Sequence, residues 1–100
     1  MTYFIYFIEC VGGGIYIGVT ADVQARYVRH AKGVGALYTK THPPLRLLFS
    51  LPVGTRAEAM HLEKKLKKLR PERKLEWAAV NGWDMAGCLN AETPQETVSA

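Results

Sequence analysis

Two cysteines, Cys10 and Cys88, are all the chain has. They allow at most one bridge. No Cys-x-x-Cys and no Cys/His grouping at zinc spacing occurs, so a disulfide scaffold and a structural zinc site are both excluded, and two reduced thiols are expected. Long hydrophobic runs are missing too. The longest, Tyr3 to Ile8, falls far short of the roughly 20 residues a membrane span needs. Basic residues are absent before Arg26, and no small-residue cleavage site follows an apolar stretch, so the expected location is the cytoplasm, away from membranes. Basic residues are absent again from the C-terminal part. All 13 Lys and Arg lie in residues 1–74 beside five acids, a formal +8, whereas residues 75–100 hold four acids and no base, a formal −4. Such asymmetry fits an uneven solvated surface, and it equally fits a polyanionic partner. Internal repeats and low-complexity tracts are also lacking.

What remains is 100 residues, 48% hydrophobic and 22% charged, which is the composition of one small folded domain and excludes wholesale disorder. Thr2 to Cys10 is rich in aromatic and β-branched residues and reads as a central strand buried on both faces. Gly12-Gly13-Gly14 is a turn, and Ile15 to Val19 returns as the second strand of a hairpin. Thr20 or Asp22 caps a helix whose apolar stripe is Val23, Tyr27 and Ala31, helped by Val28, and which ends at Gly33. Val34 to Pro44 reads as a loop. Leu45 to Ser50 is the third strand, stopped near Pro52 and Gly54. Thr55 and Glu58 form a capping box for a helix with Ala59, Leu62, Leu66 and Leu69 on one face. Pro71 breaks that helix and starts another, Glu72 to about Val80. Beyond Asp84 a short turn and a frayed, acidic tail are expected. The fold class is therefore α+β: a three-stranded antiparallel sheet with flanking helices, in the order β-β-α-β-α-α.

Five residues carry chemistry. Tyr6 and Tyr16 face one surface across the hairpin. Arg26 and His30 follow one turn apart on the next helix, bordering its stripe, and Glu63 flanks the buried stripe of a later one. Singly, each has a plainer explanation: core aromatics, a solvated helix face, and an i,i+4 pair of Glu63 with Lys67. Together they suffice for metal-assisted phosphodiester hydrolysis. A carboxylate can hold Mg2+ with most of its waters, and arginine can meet the phosphoryl charge. A phenol near a cation would lose its proton more easily and activate water, with histidine to relay the proton.

The elements Phe4-Ile-Tyr6, Ile15-Tyr-Ile-Gly18, Thr20-Ala-Asp22, Arg26, His30 and Ala57 to Lys67 resemble the GIY-YIG nuclease domain over roughly residues 2–75. Within that family they are similar to the small single-domain bacterial members (UPF0213-like). The resemblance implies Tyr6 as general base or its partner, Tyr16 as orienter of water and phosphate, and Arg26 as ligand of the scissile phosphate. It implies that His30 hydrogen-bonds the tyrosine or relays its proton, and that Glu63 is the one protein ligand of Mg2+ or Mn2+. Gly18 would leave the strand bare where a nucleic-acid backbone approaches. Two departures stand out. Phe4 replaces the first glycine of the family's motif, and Arg73-Lys74-Leu75 stand near a position where many members carry asparagine.

On this reading residues 1–83 are the nuclease-like domain and 84–100 the acidic tail. Lys64, Lys65, Lys67 and Lys68, with Arg29, Lys32 and Lys40, would track nucleic-acid phosphates. Tyr38, in a loop with Arg46 nearby, offers a ring on which an unpaired base can stack. The expected activity is metal-dependent endonucleolytic cleavage of DNA, preferring single-stranded or branched forms, by a monomer or weak dimer. With no second domain to supply sequence specificity, such a domain selects structure, binds weakly or borrows a protein partner. The alternatives are a non-catalytic nucleic-acid-binding module on the same scaffold and an accessory subunit of a DNA repair or recombination complex.

Overall fold

A computed structural model describes residues 1–83; the extra turn, the acidic tail and Cys88 expected from the sequence lie outside the described residues. The elements are β1 (Tyr3–Cys10), β2 (Ile15–Thr20), α1 (Val23–Ala31), α2 (Leu37–Thr41), β3 (Pro44–Gly54), α3 (Arg56–Lys67) and α4 (Pro71–Val80). The three strands form one antiparallel sheet in the order β2-β1-β3.

The unbroken apolar run of β1 belongs to the middle position, because both faces of a central strand are covered. Ile5 and Phe7 point to one face, where they pack with Ile15 and Ile17 of β2, Leu66 of α3 and Ala78 of α4. Phe7 stacks on Trp77, with centroids 5.9 Å apart. Tyr6, Ile8 and Cys10 point to the other face, against Val23 and Tyr27 of α1. α1 thus covers one side of the sheet, and α3 and α4 cover the other. Both sides are within reach of β2, an edge strand.

Three local expectations are revised. β3 runs through Pro52 to Gly54 instead of ending at Ser50. It is the opposite edge strand, where a proline costs no interior ladder bond, and it is kinked by register shifts against β1. The segment expected as a loop contains α2, a helix of five residues. In α1, Ala31 and Val28 are exposed, and the buried residue is His30. Its inner face is therefore Val23, Arg26, Tyr27 and His30, set by the cap at Asp22, whose carboxylate accepts from the Ala25 amide at 3.1 Å. The capping box of α3 forms as the sequence predicts, Glu58 N–H to Thr55 Oγ1 at 3.1 Å and Thr55 N–H to Glu58 Oε1 at 2.9 Å.

Candidate functional site

Tyr6 pairs with Gly18 across the β1–β2 ladder. A Cβ at position 18 would collide with the Tyr6 ring and its phenol oxygen. Gly18 is itself buried. The space expected to admit a nucleic-acid backbone is instead filled by Tyr6, whose ring lies across the neighbouring strand. Tyr16, two residues before Gly18 on the same face, puts its ring 6.3 Å from that of Tyr6 and 4.9 Å from that of His30.

Tyr6 and His30 are each 1% exposed. The Tyr6 hydroxyl lies 2.9 Å from His30 Nε2, His30 Nδ1 lies 2.8 Å from Thr39 Oγ1, and Thr39 Oγ1 lies 2.9 Å from the Ala36 carbonyl oxygen. The carbonyl can only accept, so the Thr39 hydroxyl donates to it. The Thr39 oxygen then accepts from Nδ1–H. That leaves Nε2 of a neutral ring as the acceptor for the Tyr6 hydroxyl. The chain of bonds selects one tautomer. A side chain at Gly35 would run into the imidazole, so the segment before α2 closes tightly over it.

Burial also decides the charges. It pushes the Tyr6 phenol up to about 12, outweighing the hydrogen bond and charge of Arg26 that pull it down. Tyr16 is raised by burial first and by the Glu63 charge second. His30 is lowered by burial first, then by the Arg26 and Arg29 charges. Arg26 does ease deprotonation of the Tyr6 phenol, as expected of a nearby cation, but the loss of solvent is the larger effect. At neutral pH both phenols hold their protons and the imidazole is neutral.

Tyr6, Tyr16, Arg26 and Glu63 line one pocket of about 140 Å3, together with Arg56 and Met60. His30 stands behind Tyr6. Arg26 Nε is buried and has no hydrogen-bond partner among the described residues. Such a donor calls for an acceptor. Glu63 Oε2 lies 3.5 Å from Lys67 Nζ, and that ammonium is 5.1 Å from the centroid of the Tyr16 ring. Lys67 thus belongs to the site. Lys64, Lys65 and Lys68 are exposed and line no part of the pocket, and the same holds for Arg29, Lys32 and Lys40. Lys74, near the position where many members of the resembled family carry asparagine, donates to the Ile15 carbonyl at 3.0 Å and ties α4 to β2 beside Tyr16.

Two kinds of residue escaped the reading from sequence. Arg56 and Met60 were legible: with Glu63 and Lys67 they recur at spacings of four, three and four, one stripe of α3. Thr39 was not, since nothing local marks it as the partner of a histidine nine residues earlier.

Among the described residues, Glu63 is the one carboxylate that lines the pocket, and no three His, Cys, Asp or Glu side chains gather in a group. A single carboxylate in a polar pocket with room for several waters fits Mg2+, which keeps much of its hydration and is commonly held by one or two carboxylates plus substrate phosphate.

Comparison with known proteins places the chain among similar sequences and folds. Residues 2–76 match the model of the GIY-YIG catalytic domain. A UPF0213 protein of Cupriavidus pinatubonensis is 36% identical over 77 residues, covering 77% of this chain and 86% of that one. A UPF0213 protein of Xanthomonas campestris is 38% identical over 90 residues, covering 90% and 88%. The solution NMR structure of the UPF0213 protein BH0048 from Bacillus halodurans is 33% identical, with a TM-score of 0.56, covering 98% of this chain and 100% of that chain.

Proposed function

The chain belongs to the GIY-YIG catalytic-domain family, a family of nuclease type, and from that premise we propose that it is a divalent-metal-dependent endonuclease that hydrolyses DNA phosphodiester bonds, preferring single-stranded or structured DNA. The observation that supports this most is the convergence in one small pocket of Tyr6, Tyr16, Arg26 with its unpartnered Nε, and Glu63.

Arg26 binds the scissile phosphate, with Nε and the guanidinium fork as donors to its oxygens. Tyr16 orients the phosphate and the attacking water. As that water forms its bond to phosphorus, its proton passes to the Tyr6 oxygen while the Tyr6 proton passes to His30 Nε2. His30 can take it because it starts neutral with Nε2 as acceptor. Thr39 holds the ring in that orientation throughout. Tyr6 never needs to exist as free phenolate, so its high pKa does not block the path. Glu63 would hold Mg2+ or Mn2+, which when bound supplies positive charge at the phosphate and the leaving oxygen. The P–O bond to the leaving oxygen breaks, that oxygen takes a proton from water, and the imidazolium afterwards returns its proton to solvent, so that the net change is addition of one water across the P–O bond.

The test is cleavage of single-stranded, duplex and branched DNA with Mg2+, with Mn2+ and with EDTA, for wild type and Glu63→Ala. Cutting by wild type that needs the metal and vanishes in Glu63→Ala is the expected result. Glu63 borders the α3 stripe without filling it, so the variant should keep its fold. Equal cutting by the variant in Mg2+ would overturn the ligand assignment.

A further inference from the structure

We propose that the cleft on the far side of Tyr16 is a nucleobase subsite: it takes the unpaired base of a nucleotide adjoining the scissile phosphate. The location of that phosphate rests on the reading above; the cleft itself does not. It has a volume of about 330 Å3, at the small end of ligand pockets, and its walls include Gly14, Tyr16, Tyr38, Pro71, Lys67 and Lys74.

The walls are mostly apolar, two of them are aromatic, and the charged side chains among them are both lysines, with no carboxylate. A flat aromatic ligand attached to negative charge matches that combination, and a nucleotide is such a ligand. The Tyr16 and Tyr38 rings lie 6.1 Å apart at 21°. Tyr38 is held from two sides. Its phenol rests where a side chain at Gly14 would collide, and His42 stacks on its ring at 4.4 Å and 14°. The aromatic wall is thus built before any ligand arrives, which spares part of the ordering cost of binding.

Tyr16 is shared. It lines both this cleft and the pocket that holds Tyr6, Arg26 and Glu63. Lys67 spans the same boundary, near the Glu63 carboxylate and over the Tyr16 ring. A strand with its phosphate in the pocket therefore has a stacking surface and two ammonium groups immediately beside it. A base inside a duplex is stacked and paired, and it could enter only by leaving the helix. The cleft accordingly selects unpaired or splayed nucleotides.

The experiment measures binding in EDTA, where metal-dependent cleavage is off. Three probes are used: a short single strand carrying 2-aminopurine, its duplex, and a strand of equal length with the same phosphates but no bases. Wild type should quench the 2-aminopurine of the single strand and leave that of the duplex bright. It should bind the baseless strand about tenfold more weakly, the scale of one lost base–aromatic stack. Tyr38→Phe should keep the quenching. Tyr38→Leu, which removes the π-face, should lose it. The baseless strand needs no variant, so the proposal stays testable even if Tyr38→Leu folds poorly. Equal binding of the baseless strand, absence of quenching, or no binding of any strand would overturn it. Mapping cleavage in Mg2+ separates the two readings. Quenching without cleavage keeps the subsite and sinks the nuclease proposal. Cleavage without base dependence does the reverse.

Discussion

Tyr6 and Gly18 face each other across the β1–β2 ladder, and the ring of the one occupies the place where the other has no side chain. The position of the proposed proton carrier is therefore set by an absence on the neighbouring strand. Gly18→Ala should displace Tyr6 from His30. The expected cost is about 1–3 kcal/mol of stability from overpacking, read by chemical denaturation. Cleavage should fall at temperatures where the variant is still folded. Full stability and full rate in Gly18→Ala would show that the strand yields without moving Tyr6.

Tyr6→Phe keeps the aromatic packing of β1 and removes one hydroxyl. Single-turnover cleavage should slow by at least about a hundredfold, the scale of a lost general base, while affinity for DNA stays near wild type. A variant that binds tenfold worse and turns over normally would make Tyr6 a contact residue.

Thr39 positions His30 without touching the substrate, so its removal should alter the proton path and leave the phosphate site alone. In Thr39→Val the methyl groups fill the space but accept nothing from Nδ1–H. The expected signature is a lower rate with unchanged DNA affinity and a shifted acid limb of the pH–rate profile. Thr39→Ser should restore both. If the valine variant keeps the wild-type profile, Thr39 only fills space.

His30 also predicts how stability responds to acid. Its pKa in the folded protein lies below the ordinary histidine value, because the buried ring resists charge. The unfolded chain therefore binds the proton more readily, and stability falls as the pH drops through the ordinary histidine range near 6.5 toward the lower folded value. The slope is at most about 1.4 kcal/mol per pH unit for one group. Urea midpoints between pH 8 and pH 5 should fall for wild type and fall less for His30→Gln. Identical pH dependence in the two would assign the acid sensitivity to another group.

The exposed lysines carry a separate prediction. Replacing Lys64, Lys65, Lys67 and Lys68 by glutamine preserves helix propensity and removes four charges. If these side chains meet phosphates, affinity falls for all sequences alike, and the slope of log K against log salt becomes shallower by roughly 0.7 per lost contact on a single strand. Since Lys67 is the one of the four that lies beside Glu63 and the Tyr16 ring, Lys67→Gln alone should account for about one contact. An unchanged slope would move the phosphate track to Arg26, Arg29, Lys32 and Lys40.

Elements whose causes are local are legible in the chain before it folds. The apolar run of β1 demanded a central strand, Thr20 or Asp22 marked the start of α1, and Thr55 with Glu58 opened α3. In each case the interacting groups lie within a few residues, or the pattern repeats along one segment. The order of the five site residues was equally readable, and so was the stripe from Arg56 to Lys67. The remainder depends on contacts between segments distant in the chain. α2 is too short to leave a periodicity, and its start has no side-chain cap. Thr39 meets His30, Gly18 makes room for Tyr6, and Tyr38 closes over Gly14 through contacts between separate segments. The protonation of Tyr6 and His30 depends on the same kind of information, because a nearby arginine can be read from a sequence while the water excluded around a phenol cannot. Desolvation is a property of everything packed about a group at once, and it exists only when the chain has folded.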